Sequence, residues 1–355
     1  MKTLTSRGLV RAIVLVALAC VAIPSGAGAF SKAIWADGNH SLSGQFGLFK
    51  RLHVSLYEAD LHWNEAAPTK PGDATNPNDP AYHWPASVQQ GIALASRDHM
   101  QVLLVISGTP GWANGGKSPS WVPNQPSDFA AFSTAAARHY SSVHLWMIWS
   151  EANRTGLFLP ESAARPGARL NKQQQVAPHN YARLLDGAYG ALKGVSRRET
   201  VLGGATYTTG QIDTEQWIQN LRLSNGHAPR MDMWAHNPFS TSDPNFSAPP
   251  SPQGAVQFSD LKRMGGWIDR WVHRGLPIFV SEWTIPTCVD KEFNFYVDSP
   301  VAARWINDAM RISRGWKRIY GVGWIHVYDD PPYECGGLLD SKGKAKPLFN
   351  AFARG

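Results

Sequence analysis

The sequence predicts a single (β/α)8 TIM barrel of the α/β class. Three observations predict it. Short runs rich in β-branched and aromatic residues alternate with longer segments of helical period, eight such runs occur, and they are apolar on both faces, as strands covered by helices must be. In order, strands are expected at 33–37 (AIWAD), 52–60 (LHVSLYEAD), 101–107 (QVLLVIS), 143–149 (VHLWMIW), 200–206 (TVLGGAT), 231–236 (MDMWAH), 277–283 (PIFVSEW) and 320–327 (YGVGWIHV). Helices are expected between them at 86–99, 127–140, 180–194, 258–274 and 300–314. An open doubly wound sheet is the competing architecture. It calls for a GxGxxG turn after an early strand, and no run here is followed by one. With 355 residues, 43% hydrophobic and 17% charged, the chain can fill one large core, since barrels of ~250 residues or more fold as one domain.

Residues 1–29 read as a secretory signal peptide and 30–355 as the folded domain. Lys2, Arg7 and Arg11 form a positive start, AIVLVALACVAI (12–23) an apolar centre, and Ala27-Gly28-Ala29 a small-residue cleavage site. An uncleaved N-terminal anchor and lipoprotein processing at Cys20 are the rival readings; the apolar stretch falls short of the ~20 residues a membrane helix needs. The expected location is therefore secreted or extracytoplasmic. The formal charge of +7 falls to +4 without those three cations, and no dense Lys/Arg block remains. This describes a solvated basic surface and gives no sign of a nucleic-acid partner. No membrane association beyond the signal segment is expected, and the protein is expected to act as a monomer.

Cys288 and Cys335 are the two cysteines of the mature chain, and in an oxidising compartment they are expected to form a disulfide. The sequence contains no HExxH, paired CxxC or GxxxxGK[ST]. Neither metal nor cofactor is expected.

In a barrel, chemistry collects at the C-terminal ends of the strands. Those ends carry Asp60, His62 and Trp63 after strand two, Glu151 after strand four, His236 and Asn237 at strand six, Glu282 in strand seven, and Trp324 and His326 in strand eight. Glu151 and Glu282 sit in apolar runs, where an unpaired charge costs several kcal/mol. Either alone fits a structural ion pair as well as catalysis. Two carboxylates facing one another across a pocket are what glycosidic-bond cleavage requires, one protonated and one ionised. Trp63, Trp112, Trp149, Trp283 and Trp324 fall at or near strand ends, where two or three of them are expected to pack on sugar rings. The proline- and serine-rich loops 64–80 and 237–254 follow strands two and six and are expected on the rim that sets specificity.

These residues resemble the clan A glycoside hydrolases, especially the family 5 and family 39 barrels. IWSEANRTGLFLP is similar to their strand-four W-N-E-P-N motif, and PIFVSEWTIPT to their strand-seven motif. DLHWNEAAP, VLLVISGTPGWANGG and the ending GWIHVYDD…GGLLDSKGKAKPLFNAF extend the likeness from about residue 33 to the C-terminus. The resemblance implies a secreted retaining hydrolase acting on a poly- or oligosaccharide, with Glu151 as acid/base and Glu282 as nucleophile. It further implies that Trp324 floors the reacting-sugar subsite and that Asn153 keeps a motif position. The strand-six tyrosine that usually bonds the nucleophile is missing, and His236, His326 or Tyr328 is expected to take its place.

The motif departs most at Ser150, where the family has an asparagine that bonds the sugar 2-hydroxyl, and at Ala152, where it has proline. Ser150 is shorter and reaches the sugar only through water, which points to an altered substrate. Two other classes compete: a non-catalytic glycan-binding barrel of the cell envelope, and an envelope scaffold that binds a protein.

Overall fold

A computed structural model describes residues 30–355; the signal-peptide expectation for residues 1–29 lies outside the described residues. Eight parallel strands close into a barrel in sequence order. They are β1 (Ser31–Trp35), β2 (Leu56–His62), β3 (Gln101–Ser107), β4 (Leu145–Ile148), β5 (Thr200–Tyr207), β6 (Met233–Asn237), β7 (Ile278–Val280) and β8 (Ile319–Trp324). The helices are α1 (Leu42–Arg51), α2 (Trp63–Ala66), α3 (Ala86–Arg97), α4 (Gly111–Asn114), α5 (Pro126–His139), α6 (Val176–Val195), α7 (Thr214–Asn220), α8 (Leu261–Trp271), α9 (Ser299–Gly315) and α10 (Pro347–Arg354). Among the described residues, no helix is long and apolar enough to cross a membrane.

Local chemistry accounts for several of these elements. Helix α5 starts on Pro126, whose fixed φ suits a first turn, and it places Asp128 at its positive end and Arg138 and His139 at its negative end. Helix α7 opens on a capping box in which Asp213 and Gln216 satisfy each other's backbone N–H. Helix α8 buries Leu261, Met264 and Ile268 at helical spacing and turns its charges outward.

Two apolar layers result. Leu56, Leu103, Val105, Leu145, Met147, Leu202, Met233, Ala235 and Phe279 fill the barrel interior, while a larger cluster packs the outer strand faces against the helices. Strand β2 shows the division: Leu61 joins the outer layer, whereas Leu56, Glu58, Asp60 and His62 follow at every second residue. Glu58 is accommodated because β8 has Gly323 opposite it; a Cβ there would lie 2.5 Å from Glu58 Oε1.

Cys288 and Cys335 are joined, with Cα atoms 5.5 Å apart. The bond closes a 47-residue separation and ties the loop after β7 to the loop after β8. Replacing both cysteines with serine is expected to lower unfolding stability by up to roughly 4 kcal/mol through loop-closure entropy. Denaturant midpoints of the variant and of the oxidised and reduced wild type measure it.

Candidate active site

Strand β4 ends at Ile148, and the chain then makes a sharp excursion that fixes Glu151. Trp149 has φ 64° and Glu151 φ 48°, both in the left-handed region that non-glycine residues enter at a cost of about 1–3 kcal/mol. Compensating bonds hold them there. Trp149 N donates to Ile106 O (2.8 Å), and Glu151 N donates to Ala205 O (2.6 Å). Ala205 itself has φ 42° and stands in a bulge of β5 between Gly204 and Thr206, which turns its carbonyl toward Glu151.

Glu151 is buried, and both of its oxygens accept hydrogen bonds: Oε1 from Asn237 Nδ2 on β6 (3.0 Å) and Oε2 from Arg154 Nη1 (2.6 Å). Glu282 lies two residues beyond β7, partly accessible, and accepts from Ser150 Oγ at 3.3 Å. Burial, then the charges of Glu151 and Asp60, push its carboxyl up to about 8, opposed by hydrogen bonds from Asn237 and Ser150. Asn237 bonds Glu151, and Ser150, beside Glu151 in the chain, bonds Glu282. Burial and the neighbouring charges thus favour a proton on Glu282.

Strand β2 brings further carboxyls. Asp60 is crowded by protein yet open to water, and burial with Glu65 raises it against the lowering effect of His62. Beneath it Glu58 is fully buried; Oε2 accepts from Ser281 Oγ (2.7 Å) and Oε1 has no partner. Burial, opposed by the Ser281 hydrogen bond, holds Glu58 well above the usual carboxylate range.

A cavity of about 400 Å³ is lined by Asp60, His62, Asn64, Glu65, Ser107, Ser120, Trp149 and Ser150. A neighbour of about 290 Å³, lined by Trp35, Asp37, His40, Glu58 and Asp60, meets it at Asp60. Another cavity of about 330 Å³ is lined by Asp213, Glu215, Arg263 and Trp267; Glu151 and Glu282 line none of the three.

The barrel is similar in fold to several solved structures. It matches a family 39 glycoside hydrolase from Bacteroides cellulosilyticus WH2 at 16% identity and TM-score 0.61, covering 91% of this chain and 62% of that one. A monomeric β-xylosidase from Caulobacter crescentus CB15 matches at 16% identity and TM-score 0.62, covering 91% and 67%. A glucosidase from Croceicoccus marinus matches at 12% identity and TM-score 0.59, covering 87% and 62%. The chain thus spans about two thirds or less of the length of these structures. Neither a family model nor a curated protein matches the sequence.

Several residues expected at the site have other positions in this barrel. Trp63 is 1% exposed and packs among Trp112, Phe129 and Phe132. Trp283 and Trp324 are fully buried against each other; Trp324 also packs on Phe352 and donates to Gly336 O, so it does not floor an open subsite. Trp112 is half-buried and bonded to Ala67 O, and Trp149, 3% exposed and bonded to Leu157 O, lines the larger cavity. His62 bonds Ser107 Oγ at 3.1 Å on the wall of that cavity. Asn153 is buried as a brace, accepting from Tyr207 N (2.8 Å) and donating to Ile212 O (3.2 Å).

None of the three residues expected to replace the family tyrosine bonds Glu282. His236 is buried with Nδ1 on Thr206 Oγ1 (2.8 Å) and Nε2 on Val256 O (2.9 Å), and burial drives it down to about 4, a neutral ring. Tyr328 stacks on His40 at 3.7 Å. His326 stands between Glu292 (2.8 Å) and Glu334 (2.8 Å). Ser150 Oγ bonds Glu282 instead.

The Glu292–His326–Glu334 group has the donor types of a metal site, but both ring nitrogens already face carboxylates, the arrangement of an imidazolium between two anions. Burial opposes that charge, and the two glutamates overcome it, pushing His326 up to about 9. Its folded value lies above the unfolded one, so the contribution is fully present below pH ~6.5 and lost as pH rises through 9. Wild type is expected to lose stability across that window by at most about 3 kcal/mol, and His326→Gln is expected to flatten the loss. Unfolding midpoints between pH 6 and 10 measure both.

The sequence reading passed over Arg154, Tyr207, Trp35 and Glu58. Tyr207 ends β5 beneath Arg154, whose guanidinium lies 4.4 Å from the ring centre. Trp35 lines the smaller cavity and donates Nε1 to Ser281 O (3.3 Å). A period-two signal for Glu58 exists in the sequence: Glu58, Asp60 and His62 stand on one face of an apolar strand.

Proposed function

We propose that this protein is a retaining glycoside hydrolase acting on a poly- or oligosaccharide outside the cytoplasm. The observation that carries the reading is the pair Glu151 and Glu282, set beyond the ends of β4 and β7, with Ser150, the residue before Glu151, bonded to Glu282. Direct attack requires the two carboxyls on the order of 5–5.5 Å apart, whereas inversion needs room for a water between them.

In the first step Glu282, ionised, attacks the anomeric carbon. The bond to the leaving oxygen breaks, and that oxygen takes the proton of Glu151. In the second step water attacks the same carbon, Glu151 takes the water's proton, and Glu282 departs as carboxylate. The sum is glycoside plus water giving sugar plus alcohol. Ser150, Asn237 and the cavity walls orient the groups, and Trp35 offers apolar surface for a sugar face. The disulfide supports an extracytoplasmic setting.

Activity of wild type, Glu151→Gln and Glu282→Gln on a panel of aryl glycosides and polysaccharides tests the reading. Loss of activity in both variants, with product of retained configuration by NMR, is expected. Equal activity of all three on a substrate the wild type cleaves, or inversion, overturns it.

A further inference from the structure

We propose that Arg154 is a positioning residue that holds Glu151 ionised in the resting site, and that a bound sugar arms the acid by displacing its guanidinium. The proposal rests on the two-glutamate reading and adds a control on it.

The geometry is specific. Arg154 Nη1 lies 2.6 Å from Glu151 Oε2, while Glu151 Oε1 takes Asn237 Nδ2 at 3.0 Å. Both carboxylate oxygens face donors, so a proton on either one would oppose an N–H already there. Glu151 can therefore carry the proton for a leaving group only after one of these contacts opens. Asn237 is fully buried, whereas the Arg154 side chain is 49% exposed. Arg154 is the contact that can open.

Among the described residues, the other charged and titratable groups around the pair are anions or neutral rings. Tyr207 from β5 lies under Arg154, Glu282 faces Glu151 from beyond β7, Asp60 on β2 acts on Glu282, and Glu292 acts on Tyr207. Among these groups Arg154 alone is a permanent cation. The two half-reactions need opposite states of Glu151: protonated for bond cleavage, ionised for activation of water. Arg154 in place favours the second, and a sugar occupying its position favours the first.

The decisive measurement needs no substrate. In protein labelled with 13C at the glutamate side-chain carboxyl, the Glu151 signal, assigned by its loss in Glu151→Gln, is followed through a pH titration. In Arg154→Gln it is expected to keep its proton to a pH about one unit or more higher than in wild type, since removing a cation within 4 Å favours the neutral form. Arg154→Lys is expected to remain close to wild type. Tyr207→Leu, which removes the ring under the guanidinium, is expected to move part of the way and serves if Arg154→Gln does not fold. An unmoved Glu151 titration in the folded variant overturns the proposal.

Kinetics add a signature that a merely structural ion pair would not produce. The basic limb of kcat/KM reports the free enzyme and that of kcat the complex. On the aryl glycoside cleaved fastest, the limbs are expected to differ in wild type and to coincide in Arg154→Gln. Coincident limbs in wild type count against displacement. Inactive Glu151→Gln and Glu282→Gln with an unmoved Arg154→Gln titration overturn this proposal alone; active glutamate variants overturn the two-glutamate reading.

Discussion

Replacing Glu282 by alanine is expected to lower turnover of an aryl glycoside by roughly 10⁴-fold or more, on the scale seen when other covalent catalysts lose their nucleophile. Azide added to this variant is expected to restore turnover by occupying the vacated space and attacking the anomeric carbon, giving a glycosyl azide of inverted configuration. Glu151→Ala behaves differently. It loses proton donation, worth roughly 10²–10⁴-fold, and the loss grows as the leaving group becomes poorer; azide in this variant gives a product of retained configuration, because it intercepts the second step. The two outcomes assign the roles independently of where the resting proton lies. The assignment needs that independence, since the resting geometry favours the proton on Glu282 and the first step needs it on Glu151. Azide products of the opposite pattern would exchange the two roles, and rescue of neither variant would remove the covalent intermediate.

Trp63→Ala is expected to destabilise the protein by about 3–5 kcal/mol while leaving KM of the folded fraction unchanged. Its indole stacks on Phe132 (centroids 5.7 Å apart) and meets Phe129 and Trp112 edge-on. At 1% exposure it offers no face to a ligand. Truncation leaves a cavity among rings that cannot all close in. Denaturant midpoint and KM, measured together, distinguish this from a sugar-contact role, in which KM rises at small stability cost. Trp35→Ala is the informative counterpart, because that ring borders the smaller cavity and is expected to change KM.

The barrel was legible because its strands are apolar on both faces, and no other common architecture repeats such runs eight times between helices. Boundaries were less so. The second run reads as strand from Leu52, but Leu52 caps α1 and His53 turns at φ 55°, so β2 begins at Leu56. The seventh run reads as strand through Trp283, yet β7 ends at Val280, and its shortness leaves Glu282 beyond the paired backbone. Helices α1, α7 and α10 are short and carry too few periods to stand out. In the site, Glu151 and Glu282 were legible as lone carboxylates in apolar runs. The tryptophans were misleading, because a strand-end indole turns toward ligand or toward helix according to a pleat phase that composition does not reveal. Arg154 escaped notice for a different reason: a cation in a loop reads as solvated, and only the left-handed turn at Glu151 brings it back onto the carboxylate.

That turn is held by main-chain groups: the amide of Glu151 and the carbonyl of Ala205 at the bulge in β5. A contact made by backbone atoms is indifferent to most substitutions around it, provided the two strands keep their pairing. The placement of the Glu151 carboxyl is therefore a property of the barrel's path, while the groups around it, Ser150, Arg154 and Tyr207, make their contacts through side chains. Under mutation such a barrel would hold this carboxyl in place and change partners around it, so divergence would alter its surroundings long before it alters where the carboxyl stands.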